Sequence, residues 1–119
     1  YKMPKNTLDE IKLRNESVQF ALKEATIVPY KIMETSLEAI NITEKSLSNF
    51  NKNALTDVAS SAINLKACAK EAWLNVLVNI NLIKDKEFNI EYRSKGENVL
   101  KEVILNADKI YDTIINKYI

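Results

Sequence analysis

Residues 54–83, ALTDVASSAINLKACAKEAWLNVLVNINLI, decide the fold. Read at about 100° per residue, Asp57, Ser61, Asn64, Cys68, Glu71, Asn75 and Asn79 fall on one stripe of a single long helix. Most of the remainder is apolar: Leu55, Val58, Ile63, Leu65, Trp73, Leu74, Val76, Leu77, Val78, Ile80, Leu82, Ile83 and several alanines. A helix that is apolar on most faces packs against neighbours on several sides. The stretch therefore reads as the central, largely buried helix of an all-α domain. Buried Asp, Glu and Asn must find partners or lose free energy. On that reading the stripe faces other polar groups of the protein, water, or a ligand.

Outward from this stretch the pattern stays helical. Thr7-Leu8-Asp9-Glu10 is a capping box, followed by Leu8, Ile11, Val18, Leu22 and Ala25 at helical spacing. Pro29 disfavours helix at Val28, so a first helix is expected to end or kink near residue 27. A second helix, with Met33, Leu37, Ile40 and Leu47 on one face, is expected to follow. Residues 49–53 read as a tight turn, with Asn53 as the next N-cap. The central helix then runs to about Ile83, and Asp85 can cap a further helical stretch. Ser94-Lys95-Gly96-Glu97 is a second capping box, ahead of Leu100, Val103, Ala107, Ile110 and Ile114. Short turns between long helices give an up-and-down array of antiparallel helices in one domain. A second apolar line on the last helix, Ile104, Tyr111, Ile115 and Tyr118, exceeds what one contact face requires. A subunit interface or a further part of the same chain is expected to cover it.

The composition excludes several function classes. The chain has 119 residues, 46% hydrophobic and 28% charged, with a net charge of +1. Well-mixed charges leave no electrostatic footprint for nucleic acid. No run of about 20 residues is free of charge, so no membrane span is expected. There is no histidine, which removes Ser-His-Asp and Cys-His catalysis and the usual zinc sites. No metal site is expected. The one glycine, Gly96, cannot form a Gly-rich phosphate loop. The single cysteine, Cys68, allows no internal disulfide and fits a reducing, cytoplasmic setting. The chain begins at Tyr1, and the natural protein is expected to begin upstream.

Acid–base chemistry must then come from Asp, Glu, Lys, Tyr or Cys. Asp57 is the best acid or base candidate, because partial burial raises a carboxyl pKa toward the working range. Asn75 and Asn79 can donate and accept in fixed directions. Arg14 and Lys5 can hold an anionic substrate tail. The bland reading of the stripe is that its members bond only to neighbouring protein groups. Lys66 and Lys70 read as a solvated edge, and Cys68 as a small packing residue.

The linear text adds a resemblance. Lys2-Met3-Pro4-Lys5, then Arg14, then Ala25-Thr26-Ile27-Val28-Pro29-Tyr30 resembles the formiminotetrahydrofolate cyclodeaminase family. The similarity continues through Ser36-Leu37-Glu38-Ala39 and Asn53-Ala54-Leu55-Thr56-Asp57-Val58-Ala59. It closes with Asn75-Val76-Leu77-Val78-Asn79 and Ile83-Lys84-Asp85 followed by Phe88. The family includes methenyltetrahydrofolate cyclohydrolases and the cyclodeaminase half of the bifunctional formiminotransferase-cyclodeaminase. The resemblance implies an all-helical homodimer or higher homo-oligomer, with a folate site near the subunit contact. It implies conversion of 5-formiminotetrahydrofolate to 5,10-methenyltetrahydrofolate with release of ammonia. The alternatives are hydrolysis of the methenyl bridge, or a non-catalytic dimeric scaffold. No cofactor beyond the tetrahydrofolate substrate is implied. Asp57 carries over as acid or base, Asn75 and Asn79 as groups orienting the pterin or one-carbon unit, and Arg14 and Lys5 as contacts to the glutamyl carboxylates. The family's Pro-Gly-Gly-Gly-Ser-like motif does not occur, so residues 1–119 look like the C-terminal portion of a single cyclodeaminase-like helical domain.

Overall fold

The computed structural model describes residues 2–119. Three helices run up, down and up: α1 (Leu8–Lys45), α2 (Leu55–Ile80) and α3 (Lys86–Tyr118). Two short 3₁₀ turns, Leu47–Asn49 and Lys52–Ala54, join α1 to α2. The described residues hold no strand, and α2 packs on both other helices. The all-α antiparallel array expected from the sequence is what forms.

The helix starts follow local chemistry. Thr7 Oγ1 accepts from the Glu10 amide at 3.1 Å, and Glu10 accepts from the Asn6 amide at 3.0 Å. Asp85 caps α3, accepting from the Phe88 amide at 3.1 Å. Its other oxygen meets Lys23 Nζ at 2.8 Å, and this bond holds the Asp85 carboxyl below its usual pKa. The turn before α2 is capped by Asn51, which accepts from the Asn53 amide, and not by Asn53 itself.

Two expected breaks are absent. The box at Ser94–Glu97 starts nothing; α3 passes straight through it, and Gly96 is buried inside the helix. Likewise α1 does not end near residue 27. It continues through Pro29 as one helix of 38 residues. An interior proline removes one helical hydrogen bond and usually kinks or breaks the helix. What fills that gap here is a side chain from α2, described below.

The core runs along the rod in two clusters. One gathers Ile40, Leu55, Val58, Ala59, Ala62, Ala69, Val103, Ala107, Ile110 and Ile114; the other gathers Tyr30, Met33, Ala72, Val76 and Ile80. Half of the buried residues of α2 are thus alanines. Small side chains let α1 and α3 approach closely. At the α2–α3 crossing, the Trp73 ring lies directly over Gly96, where a Cβ would come within 2.2 Å of the ring. Buried Thr26 and Ser36 donate their hydroxyls one turn back, to Leu22 O at 2.8 Å and Ile32 O at 2.9 Å.

With the alanines turned inward, the polar stripe faces outward. Asp57, Ser61, Asn64, Glu71 and Asn75 are exposed, and Cys68 and Asn79 are half-buried. Of the three surroundings the sequence leaves open for the stripe, water meets most of it. The helix is less buried than its hydropathy suggests, since Ile63, Leu74 and Val78 also point outward. The described residues are elongated, 67 × 24 × 16 Å, with a radius of gyration of 19.5 Å. A compact domain of this length has a radius near 13–14 Å.

Candidate functional site

The most organised polar geometry lies where α1 meets the α2–α3 turn. Pro29 has no amide hydrogen, so the Ala25 carbonyl, four residues back, loses its helical donor. Asn79, in the last turn of α2, donates its Nδ2 to that same Ala25 carbonyl at 2.9 Å. The asparagine supplies from α2 the bond that α1 cannot make for itself. Next to it, Gln19 secures the turn from both sides. Its Nε2 donates to Leu82 O at 3.1 Å, and its Oε1 accepts from the Lys84 amide at 2.9 Å. Lys23 adds its ion pair to Asp85 and lies 5.5 Å from the centre of the Phe88 ring.

A double-mutant cycle isolates the Asn79 bond. In the native background Asn79→Ala is expected to cost about 1 kcal/mol, since it leaves a helical carbonyl without a donor. In a Pro29→Ala background the residue-29 amide can serve Ala25, and the same change is expected to cost close to nothing. Urea unfolding of the four variants reads the coupling. Equal costs in both backgrounds would show that Asn79 does not complete the α1 ladder.

A concavity of about 390 Å³ lies on α1 beside this junction, lined by Met3, Ser17, Val18, Ala21, Leu22 and Ala25. Arg14, half-buried, stands one turn before Val18 on the same side of α1 by helical spacing. Lys5 is exposed, two residues from Met3. Along α1, Arg14 lies about 16 Å before Ala25, the residue that Asn79 meets. Asn75, one turn before Asn79, lies with it in the last two turns of α2.

Asp57 does not. It sits in the first turn of α2, exposed, at the end of the rod where Ile40, Leu55 and Val58 form the core. At 1.5 Å per residue it lies about 27 Å from Asn75 and about 33 Å from Asn79 along the helix. One copy of α2 cannot bring Asp57 and the asparagines to the same atom. Two depressions elsewhere, between α2 and α3 around Lys66 and Tyr111 and between α1 and α2 around Ile32 and Cys68, are lined by none of these three residues.

Beneath the junction an aromatic cluster fixes α3 on α1. Tyr92 meets the edge of Tyr30 at 5.3 Å and stacks on Phe88 at 4.5 Å. Burial, and then the neighbouring Glu34 carboxylate, raise the Tyr30 phenol above its ordinary pKa. The described residues hold no group of three or more His, Cys, Asp or Glu placed to take a metal ion. Among them, no helix is long and apolar enough to cross a membrane.

Gln19 and the α1 concavity were not among the sequence candidates. Gln19 lies on an ordinary amphipathic face and carries no local signal. For the Asn79–Ala25 bond a signal existed: a proline inside a helical period implies an orphan carbonyl four residues earlier.

With this geometry in hand, known proteins give the chain a context. The family described as formiminotransferase-cyclodeaminase matches residues 1–98. A methenyltetrahydrofolate cyclohydrolase from Methylorubrum extorquens is 32% identical over 98% of this chain and 56% of its own length. The formimidoyltransferase-cyclodeaminase of Rattus norvegicus is 30% identical over 89% of this chain and 20% of its own. A crystal structure of formiminotetrahydrofolate cyclodeaminase from Thermotoga maritima superposes with a TM-score of 0.69 at 25% identity, covering 93% of this chain and 54% of that one. The chain therefore spans about half the length of the cyclohydrolase relative and of the solved cyclodeaminase, and a smaller share of the bifunctional enzyme. On the sequence match, which covers most of the residues, and on the shared helical arrangement, the chain belongs to the formiminotransferase-cyclodeaminase family.

Proposed function

We propose that this helical region forms the C-terminal part of a cytoplasmic folate one-carbon enzyme, which closes 5-formiminotetrahydrofolate to 5,10-methenyltetrahydrofolate and releases ammonia. The observation that carries the reading is the family match over residues 1–98. In this reaction N10 attacks the formimino carbon and a new C–N10 bond forms. N10 gives up its proton, and the former imino nitrogen takes up two, one of them equivalent to that lost by N10, and departs as ammonia, leaving the cationic methenyl bridge. The protein must hold N10 against the carbon and deliver the proton to the departing nitrogen. Both can be done by side chains, with no cofactor beyond the folate.

The last two turns of α2, with Asn75 and Asn79, suit the substrate's amide-rich pterin, and Arg14 and Lys5, further along α1, the glutamyl carboxylates. The Oδ1 acceptor and the second Nδ2–H of Asn79 remain for such a contact, since its Ala25 bond uses one N–H. Asp57 is the proposed proton donor. Given its separation from Asn75, a site that uses both draws them from different copies of α2, in a homodimer or larger homo-oligomer. Hydrolysis of the methenyl bridge is the second reading, favoured by the Methylorubrum cyclohydrolase aligned over 98% of the chain.

Absorbance of the methenyl product separates these readings. Added to 5-formiminotetrahydrofolate, the whole protein is expected to produce the methenyl band and one ammonia per turnover. Accelerated loss of that band from 5,10-methenyltetrahydrofolate, without action on the formimino substrate, would assign hydrolysis. Action on neither would overturn the enzymatic reading and leave a helical scaffold.

A further inference from the structure

Arg14, Val18, Ala21 and Ala25 follow at steps of four, three and four, and so form one line along α1. Ala25 ends that line, and its carbonyl is the one that Asn79 meets at 2.9 Å. Arg14 begins it, about 16 Å away along the helix axis. Between the two opens the concavity of about 390 Å³. Met3, from the segment before α1, supplies a further wall. Among the described lining residues Ser17 alone has a polar side chain, and none is charged. Ala21 is exposed, and Met3, Val18 and Leu22 are half-buried, so a ligand can reach this apolar surface from solvent.

We propose that this concavity seats the p-aminobenzoyl ring of the folate, with Met3, Val18 and Ala21 in contact with it. The inference rests on the folate reading and places the middle of the substrate within that site. Three observations select the ring. The first is chemistry. A folate has an amide-rich pterin, an apolar aromatic ring and an anionic glutamate, and an uncharged apolar lining penalises the first and the last by desolvation. The second is order. Asn79 at Ala25, the concavity, and Arg14 lie along α1 in the sequence pterin, ring, glutamate, over a span that an extended folate bridges. The third is Met3, whose flexible thioether makes favourable contacts with aromatic rings. It belongs to the Lys2-Met3-Pro4-Lys5 motif, in which only Lys5 has had a role so far. The seat bears on the reaction because N10 is bonded directly to the ring. Holding the ring holds the attacking nitrogen against the one-carbon unit. Closure and hydrolysis both work on the N5–N10 bridge, so the seat serves either.

Titration calorimetry on the whole protein tests the seat, with p-aminobenzoylglutamate and free glutamate as probes. The native protein is expected to bind p-aminobenzoylglutamate at least about tenfold more tightly than glutamate, since only the former brings an apolar ring. Ala21→Trp, at an exposed position where folding is spared, fills the concavity and is expected to weaken p-aminobenzoylglutamate at least about tenfold. Glutamate affinity should not change. Met3→Ala, outside any helix, is expected to weaken it about two- to tenfold. Leu105→Trp, exposed on α3 and outside the concavity, should leave it unchanged. Unchanged affinity in either Ala21→Trp or Met3→Ala would overturn the seat, as would native protein that turns over the folate without binding p-aminobenzoylglutamate. In both cases methenyl turnover by the native protein shows that the folate reading survives the loss of the seat. Neither turnover nor binding by the native protein would overturn the folate reading itself, and the seat with it.

Discussion

Gly96→Ala is expected to destabilise the protein by about 1–3 kcal/mol, although it replaces the poorest ordinary helix former by the best one. On propensity alone the change would stabilise α3 by about 1 kcal/mol. The packing reverses that sign. An added Cβ would sit 2.2 Å from Trp73 Cζ3 and 2.7 Å from Cε3, and these are atoms of a rigid ring. Either the indole leaves its place or α2 and α3 move apart, and both loosen contacts around Val76, Val99 and Leu100. Trp73→Leu removes the ring, and in that background Gly96→Ala should become neutral or stabilising. Urea unfolding of the four variants reads the reversal. A stabilising Gly96→Ala in the native background would show that the helices are not in van der Waals contact there.

Asp57→Asn is expected to lower turnover by about 10²–10⁴-fold while folate binding is retained. The amide keeps the shape of the carboxyl but cannot give up or take a proton. The loss should therefore appear in kcat with little change in KM. Asp57 lies on an exposed first turn, so the melting temperature is expected to stay unchanged. Mixing Asp57→Asn chains with Asn75→Ala chains then tests where the site lies. If one site takes its carboxylate and its amide from different copies, mixed assemblies regain activity that neither variant has alone. Unchanged turnover in Asp57→Asn would remove this carboxylate from the mechanism.

Much of the fold was legible because helices announce themselves locally. Thr7 and Asp85 cap as their sequence contexts say, and the apolar periods mark α1, α2 and α3. What was not legible depends on contacts distant in sequence. Pro29 reads as a break until Asn79, fifty residues away, is known to lie against Ala25. Gly96 reads as a weak point in a helix start until Trp73 is seen lying on it. The facing of α2 was misread for a related reason. Alanines carry little hydropathy, yet a close helix crossing selects them, so the inward face of α2 is less apolar by scale than parts of its outer face. The candidate residues divide along the same line. Asn79 reaches Ala25 because antiparallel α1 and α2 put them side by side, while helical periodicity groups Asp57 with the asparagines by angle alone and ignores axial distance.

The Pro29–Asn79 pairing also has a consequence for alignment. The alanines at the middle of α2 present a smooth stretch to α1, and a slide of one turn there would be about 5.4 Å. A regular α-helix offers no help, since its interior carbonyls are all taken. Pro29 leaves a single carbonyl of α1 vacant, and Asn79 can satisfy it at one axial setting only. The pair works as a keyway and key, and together with the Gln19 and Lys23 bonds it sets the height at which α2 stops against α1.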